Sequence, residues 1–108
     1  MNERLAGLLG MARRAGRLIA GFDAVKESVL GGRAQLVMLA CDLSPKTEKE
    51  LRFALGEDVT PLPVGLTKDE IGHAAGWNRP VGVIATEDHG FAAAMKKAAD
   101  CRNEEDAI

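Results

Sequence analysis

Two uninterrupted apolar runs constrain the fold of this chain more than any other feature of its sequence. Residues 36–40 read Leu-Val-Met-Leu-Ala, and residues 81–86 read Val-Gly-Val-Ile-Ala-Thr. Neither run alternates apolar with polar side chains, a pattern that is typical of strands buried on both faces of a sheet. Such strands need a layer of helices on each side, so the chain has to supply helices for two faces.

Five other segments carry apolar residues at the spacing of a helix, bounded by capping residues or breakers. Asn2 can cap the first of these helices, and Gly16 can end it. Thr67-Lys-Asp-Glu70 is a capping box for the fourth helix. Two shorter strands are predicted at 17–20 and 60–64, and two prolines confine the second to a sheet edge. The apolar faces of the helices are predicted at Leu5 to Ala12, Phe22 to Val29, Leu51 to Leu55, residues 67 to 76, and Phe91 to Ala98.

This alternation of helices and strands predicts one α/β domain, a three-layer α/β/α sandwich with a mixed sheet of about four strands. We assign residues 1–99 to the domain and residues 100–108 to an acidic tail, expected to be disordered because it lacks apolar periodicity. No apolar run approaches the roughly 20 residues of a membrane span, so no membrane partner is expected. Cys41 and Cys101 are too far apart for a disulfide framework, which favours a cytoplasmic location, and Cys41 is expected to be a core residue.

The charge of the chain is unevenly distributed. The formal net charge is −2, which by itself argues against unspecific coating of nucleic acid. Residues 1–33 carry six basic and three acidic groups, or +3, whereas residues 34–75 carry four basic and seven acidic groups, or −3. Residues 76–99 add +1, and residues 100–108 add −3. The first third of the chain is therefore basic and remains suited to an acidic partner.

Catalytic and metal-binding patterns are weak in this sequence. His73, His89 and the two cysteines show no metal-ligand spacing, and no Ser or Cys has a His beside it in the sequence. Gly7, Gly10 and Gly16 lack both the preceding strand and the following Lys-Ser/Thr of a phosphate loop. We therefore expect a chain that is not an enzyme and that uses no cofactor.

Three segments are candidates for binding, and each also has a plainer structural explanation. Arg13 and Arg14 either complement the dipole at the end of the first helix or meet phosphates. Gly21, at a strand-to-helix junction, either makes an ordinary turn or leaves the first helix amides open to a ligand. Trp77-Asn-Arg-Pro80 joins the fourth helix to the last strand, where the indole either covers the core or stacks on a base.

Several stretches within residues 5–97 share a pattern with known proteins: Leu8 to Leu18, Gly21 to Val25, Gly32 to Ala40 with Asp42 and Ser44-Pro45, Glu70-Ile-Gly-His-Ala-Ala-Gly76, and Asp88 to Ala92. In this order they resemble the kink-turn RNA-binding ribosomal-protein family, named after archaeal ribosomal protein L7Ae, and especially its short bacterial members. The stretch from Glu70 to Gly76 is the most specific element. The family fold is an α/β/α sandwich, in agreement with the fold predicted from the sequence pattern.

The resemblance implies that RNA is bound by the start of the second helix and by the loop before the last strand. The family pattern Gly-x-Asn-Glu-x-x-Lys falls on the segment that begins at Gly21, and only this glycine is retained. Asp23 replaces Asn, Ala24 replaces Glu and Glu27 replaces Lys. These changes remove a hydrogen-bonding side chain and invert a charge near phosphates, although Lys26 lies beside them. The resemblance therefore implies RNA binding but not tight binding of a standard kink-turn.

We predict a monomeric, non-catalytic RNA-binding protein of the ribosome or of the translation and ribosome-assembly machinery, which recognises a bent or looped structured RNA. Ribosomal RNA is the expected ligand, and ribosomal or translation proteins are further candidate partners. The alternative is a protein–protein assembly module of the same fold that has lost kink-turn binding; a third is a substrate-binding domain serving a separate RNA-modifying enzyme. The basic residues Arg13, Arg14, Arg17, Lys26, Arg33 and Arg79 are expected to share a face with Gly21 and Trp77, whereas a scatter over opposite faces would favour the assembly module. The predicted RNA-binding residues are Arg13, Arg14, Arg17, Gly21, Phe22, Asp23, Ala24, Lys26, Glu27, Trp77, Asn78, Arg79, Pro80 and Val81.

Overall fold

A computed structural model describes residues 2–57 and 59–106 of the chain, with side chains beyond residue 99 left out. The predicted caps are present: the Asn2 side chain accepts a hydrogen bond from the Leu5 N–H, and Thr67 with Glu70 forms both bonds of a capping box. Helices and strands alternate as predicted, in the order α1 (Glu3–Arg14), β1 (Ile19–Ala20), α2 (Phe22–Leu30), β2 (Leu36–Leu39), α3 (Pro45–Leu55), β3 (Leu62–Pro63), α4 (Lys68–Ala75), β4 (Val83–Thr86) and α5 (His89–Asp106).

The strands form one mixed sheet in the order β1-β4-β2-β3. β4 runs antiparallel to both β1 and β2, while β3 runs parallel to β2. The two strands with continuous apolar sequences therefore occupy the centre, and β3, which contains Pro63, lies at an edge as predicted. β1 and β3 are shorter than the sequence pattern suggests, with two residues each.

Helices cover both faces of the sheet. On one face, Met38 and Ile84 pack with apolar residues of α1, α4 and α5. On the other face, Val37 and Val83 pack with residues of α2 and α3. Because successive side chains of a strand point to opposite faces, each central strand contributes to both clusters. The predicted three-layer α/β/α sandwich is confirmed.

Two details concern the ends of elements. Cys41 is exposed, so the expectation of a core cysteine is wrong. It follows β2 after Ala40, where the chain turns out of the sheet while the Cys41 N–H donates to the Leu66 carbonyl. α5 extends to Asp106 and so includes part of the segment assigned to an acidic tail. The division of the chain at residue 99 stays a prediction, and residues 107–108 lie outside the described part.

Candidate functional site

The start of α2 and the loop before β4 meet at one end of the sheet. The Gly21 N–H donates to the carbonyl oxygen of Val83 at 2.9 Å, and Val83 is the first residue of β4. The loop of residues 77–81 is followed by Gly82, whose carbonyl accepts from the Ala40 N–H at the end of β2. Two segments more than 50 residues apart in the sequence are therefore held side by side.

The backbone conformation at position 21 requires a glycine. Its φ of 100° and ψ of 152° are rarely adopted by residues with a side chain, although a Cβ atom there would meet nothing within 4 Å. Gly21 is the N-cap of α2, and no side chain caps this helix. The first amides of α2 thus lack the side-chain partner that Asn2 and Thr67 supply to α1 and α4.

The outward face of α2 carries charges of both signs. Asp23, Lys26 and Glu27 are exposed, and with Leu30, Gly31 and Arg33 they line a shallow depression of about 540 Å³. Leu30 is 64% exposed and was not predicted as a site residue, although it follows Lys26 and Glu27 at helical spacing. Ala24 is exposed, while Phe22 packs partly buried against the apolar cluster of α2 and α3.

The loop of residues 77–81 is fixed against α4. α4 ends at Gly76, whose φ of 85° is left-handed, and Asn78 follows with a φ of 57°. The loop then returns along the helix, because the Val81 N–H donates to the Lys68 carbonyl at 3.0 Å. Asn78, Arg79 and Pro80 are exposed, whereas the side chain of Val81 is buried. The loop therefore presents Asn78, Arg79 and Pro80 to solvent, while Val81 anchors it.

Trp77 connects this loop to α1. Its indole is partly buried against the apolar cluster of α1, α4 and α5, and the Arg13 guanidinium carbon lies 5.2 Å from the ring centroid. This distance is typical of a cation–π contact. Arg14, next to Arg13 in the last turn of α1, is exposed. The indole thus covers part of the core, one of the two roles considered for it, and also holds a cation on its ring.

Arg17 lies near the opposite end of β4. The Thr86 hydroxyl donates to the Arg17 carbonyl at 2.7 Å, and Thr86 is the last residue of β4. Thr86 lies three residue steps along the strand from Val83, which places the Arg17 backbone roughly 10 Å from Gly21 along the sheet. The Arg17 guanidinium is 3.9 Å from the Asp88 carboxylate, whose other oxygen accepts from the Phe91 N–H at the start of α5.

Glu87 joins the end of β4 to α2. Its carboxylate accepts hydrogen bonds from the hydroxyl of the buried Ser28 at 2.6 Å and from Arg33 Nε at 3.2 Å. The Ser28 bond lowers the pKa of Glu87 most, partial desolvation opposes it, and the Arg33 hydrogen bond and charge lower it further. Arg33 borders the depression on α2, but this carboxylate already engages its cation. Arg33 lies beside Asp23 and Lys26, in the helical layer opposite to α1, which carries Arg13 and Arg14.

Among residues 2–57 and 59–99, whose side chains the structure describes, no group of three or more His, Cys, Asp or Glu is arranged to hold a metal ion. His73 is exposed on α4, and His89 is the first residue of α5. Over the same residues, none of the helices is long and apolar enough to cross a membrane.

These features define a small, single-sheet α/β/α binding domain whose candidate site is formed by a helix start and a fixed loop. The chain belongs to the ribosomal protein L7Ae/L30e/S12e/Gadd45 family, whose sequence profile matches residues 3–96. The family resemblance found in the sequence is thereby confirmed.

Named relatives and solved structures agree with this assignment. The chain is 33% identical over 85 residues to the RNA-binding protein YlxQ of Bacillus subtilis (strain 168), covering 79% of this chain and 84% of the relative. It is 28% identical over 96 residues to the RNA-binding protein YlxQ of Enterococcus faecium, covering 89% and 91%. Both relatives carry the name of a binding protein and not of an enzyme, which agrees with the prediction of a non-catalytic chain.

Among solved structures, a protein of unknown function from Bacillus halodurans C superposes with a TM-score of 0.80 at 31% identity, covering 90% of this chain and 97% of that one. The 15.5kD RNA binding protein of Giardia lamblia superposes with a TM-score of 0.73 at 20% identity, covering 92% and 84%. At that identity, the second similarity shows a shared fold alone.

Proposed function

We propose that this chain is a non-catalytic RNA-binding protein of the ribosome or of the translation and ribosome-assembly machinery, and that it binds a bent or looped structured RNA. The hydrogen bond from Gly21 to Val83 carries the proposal, because it holds the start of α2 beside the loop of residues 77–81. Family membership and the names of the two bacterial relatives support an RNA ligand. An RNA bend makes splayed bases and closely spaced phosphates accessible, so two segments that are held together suit such a bend.

The roles we propose follow from exposure. The amides at the start of α2 suit a phosphate, and Lys26 and Arg79 add positive charge on either side. Pro80 offers an apolar contact to a splayed nucleotide. The side chains of Phe22 and Val81 are wholly or partly buried, so in this proposal they hold the two segments in place. The proposed RNA-binding surface is extended by Asn78, Arg13 and Arg14. Arg17 is peripheral to it because Asp88 engages its guanidinium.

The composition of α2 bears on which RNA is bound. Asp23, Ala24 and Glu27 are all exposed on the helix whose start the family resemblance implicates in RNA binding. An exposed carboxylate at position 27 repels a phosphate that a lysine would attract, and Ala24 offers no side-chain hydrogen bond. We propose that the ligand is a structured RNA other than a standard kink-turn, and that this chain binds a standard kink-turn only weakly.

A protein–protein assembly module is the second candidate function. The depression around Leu30 favours it, because an exposed leucine surrounded by charges of both signs suits a protein partner better than a phosphate backbone. Phe53 on α3, in the same helical layer, is 90% exposed and adds a further apolar group.

The test is a calorimetric and filter-binding titration of the full chain against a standard kink-turn, a hairpin loop and fragments of structured ribosomal RNA, at several salt concentrations. RNA binding predicts an affinity for at least one structured RNA that falls steeply with salt, and weaker binding of the kink-turn. The Lys26→Gln variant should weaken that binding, while Lys49→Gln on α3 is the control with the same loss of charge. The absence of salt-sensitive binding to every RNA would contradict the proposal and favour the assembly module.

A further inference from the structure

An open groove lies at the edge of the sheet, at the opposite end of β2 from the candidate RNA site. It has a volume of about 530 Å³ and is lined by the start of β2, by the residues before β3 and by one face of α5. We propose that this groove, which we call the β2–α5 groove, binds an acidic, extended segment of a partner protein. It shares no residue with the proposed RNA site, so the inference goes beyond RNA binding and does not rest on it.

The β2–α5 groove lies at a gap in the sheet edge. β3 pairs with β2 only at Met38 and Leu39, and in the part of the chain that the structure describes no other strand lies on that side of β2. The start of β2, at Leu36 and Val37, therefore has a paired strand on its β4 side alone. An uncovered stretch of strand edge is a place where an extended peptide can pair.

The outer edge of β3 is a poor alternative for such pairing. The Val64 N–H donates to the Leu39 carbonyl, so the preceding residue, Pro63, directs its nitrogen away from β2. Proline has no N–H, and Pro63 therefore offers no donor to a strand added outside β3. An added segment is accordingly directed to the gap beside the start of β2.

α5 forms the long wall of the β2–α5 groove. His89, Ala92, Ala93 and Lys96 lie on one face of this helix, at spacings of three and four residues. The two alanines have no side-chain atom beyond Cβ, so they leave room for the backbone of an extended segment. His89 and Lys96 are exposed at the two ends of this face, about 10 Å apart along the helix axis. α5 thus offers a narrow apolar strip with a polar donor at each end.

The charges around the β2–α5 groove favour an acidic partner. None of the described residues that line it is Asp or Glu. Lys96 supplies a full positive charge, and the start of α5 at His89 carries roughly half of one. Glu87 and Asp88, which precede α5, already accept hydrogen bonds from groups outside the groove. A carboxylate that enters the groove therefore meets attraction and no repulsion from its lining.

An extended segment of alternating acidic and apolar residues matches these walls. Successive side chains of a strand point to opposite sides. One side of the segment therefore places apolar groups against Leu36 and Val59, while the other side places carboxylates against the donors on α5. The partner chemistry that we propose is this alternating pattern.

The test measures binding of the full chain to a fluorescein-labelled peptide, Glu-Val-Glu-Val-Glu, by fluorescence anisotropy. We expect Lys96→Gln to raise the dissociation constant about threefold to fivefold, and the neutral peptide Gln-Val-Gln-Val-Gln to bind more weakly than the acidic one. Lys97→Gln is the matched control, because Lys97 is exposed on the same helix and does not line the groove. It should change the dissociation constant less than about twofold. Failure of the acidic peptide to bind, equal binding of the neutral peptide or equal weakening in both variants would overturn the proposal.

A second variant, Ala93→Leu, tests the shape of the β2–α5 groove without a change of charge. The leucine fills the strip between His89 and Lys96, so binding of the peptide should be lost, whereas any RNA binding should persist because Ala93 lies outside the proposed RNA site. Unchanged peptide binding would overturn the proposal. So would displacement of the peptide by hexa-adenylate, which would assign the groove to nucleic acid. Self-association in sedimentation that Ala93→Leu abolishes would assign it to a second copy of the chain and also overturn the proposal. The peptide results are read without RNA, so this inference and the proposed function fail separately.

Discussion

A Cβ atom on Gly72 would collide with the carbonyl oxygen of Arg79 and would lie 2.8 Å from its carbonyl carbon. α4 therefore presents bare backbone at this position, and the loop of residues 77–81 lies directly on it. Arg79 belongs to the proposed RNA site, so Gly72 determines where that part of the site lies without itself facing the RNA. Any side chain at position 72 has to displace the loop.

The first prediction concerns Gly72→Ala. The added methyl meets backbone, which cannot yield as a flexible side chain does, so we expect the free energy of unfolding to fall by about 2 kcal/mol or more. The matched control is Gly7→Ala in the exposed middle of α1, where a Cβ atom would meet nothing within 4 Å. That variant should gain about 0.5–1 kcal/mol from helix propensity. Urea denaturation measures both, and similar stabilities for the two variants would refute the role of Gly72.

The second prediction concerns the identity of the RNA. Restoring the family pattern with Asp23→Asn, Ala24→Glu and Glu27→Lys should strengthen binding of a standard kink-turn about tenfold or more, because it adds hydrogen-bonding groups and removes a repulsive carboxylate. Calorimetry at constant salt measures the change. Glu50→Lys on α3 alters the net charge of the chain as Glu27→Lys does. An equal gain from that variant alone would show that only net charge matters.

The third prediction compares two arginines at opposite ends of β4. Arg79→Gln should weaken binding of structured RNA about fivefold, since it removes an exposed cation from the loop. Arg17→Gln should change the affinity less than about twofold, because Asp88 already engages the Arg17 guanidinium and because Arg17 lies farther along the sheet from the proposed site. Filter binding with one RNA at one salt concentration compares the two. A larger loss for Arg17→Gln would move the proposed site toward the other end of β4.

The fourth prediction concerns the dependence of stability on pH. Folding lowers the pKa of Glu87 below its ordinary value of 4.5, chiefly through the Ser28 hydroxyl. A carboxylate of this kind stabilises the fold above its unfolded pKa, and that stabilisation is lost as the pH falls through the folded pKa. The free energy of unfolding of the original chain should therefore decline more steeply below pH 4.5 than that of Glu87→Gln. Parallel pH profiles of the two proteins would contradict the role assigned to Glu87.

Much of the fold follows from local sequence patterns. The central strands are predictable because a continuous apolar run has few other solutions in a small domain, and the caps at Asn2 and Thr67 depend only on residues within one turn. Where a strand begins or ends, by contrast, depends on contacts with distant segments. Val81 is apolar and buried, but its N–H bonds to the Lys68 carbonyl of α4 and not to a strand. Cys41 is exposed for a similar reason, since the direction of the chain after β2 is set by its bond to Leu66.

The candidate site is predictable only in part. Gly21 and Trp77 stand out in the sequence because a glycine at a helix start and a lone indole in a loop are unusual. Contacts between distant segments leave no such pattern. The Ser28–Glu87 hydrogen bond joins residues 59 apart, and the Arg13–Trp77 contact depends on how closely α1 and α4 pack. The exposure of Leu30 likewise depends on the tertiary position of α2.

The last residue of β4 and the two residues that follow it form hydrogen bonds with three different parts of the chain. Thr86 bonds to the backbone before β1, Glu87 to α2, and Asp88 to the start of α5. Local opening of α2 therefore disturbs the same strand end that secures α5 on the other face. We therefore expect the opening of α2 to be coupled to that of α5, so that the two helical layers unfold together.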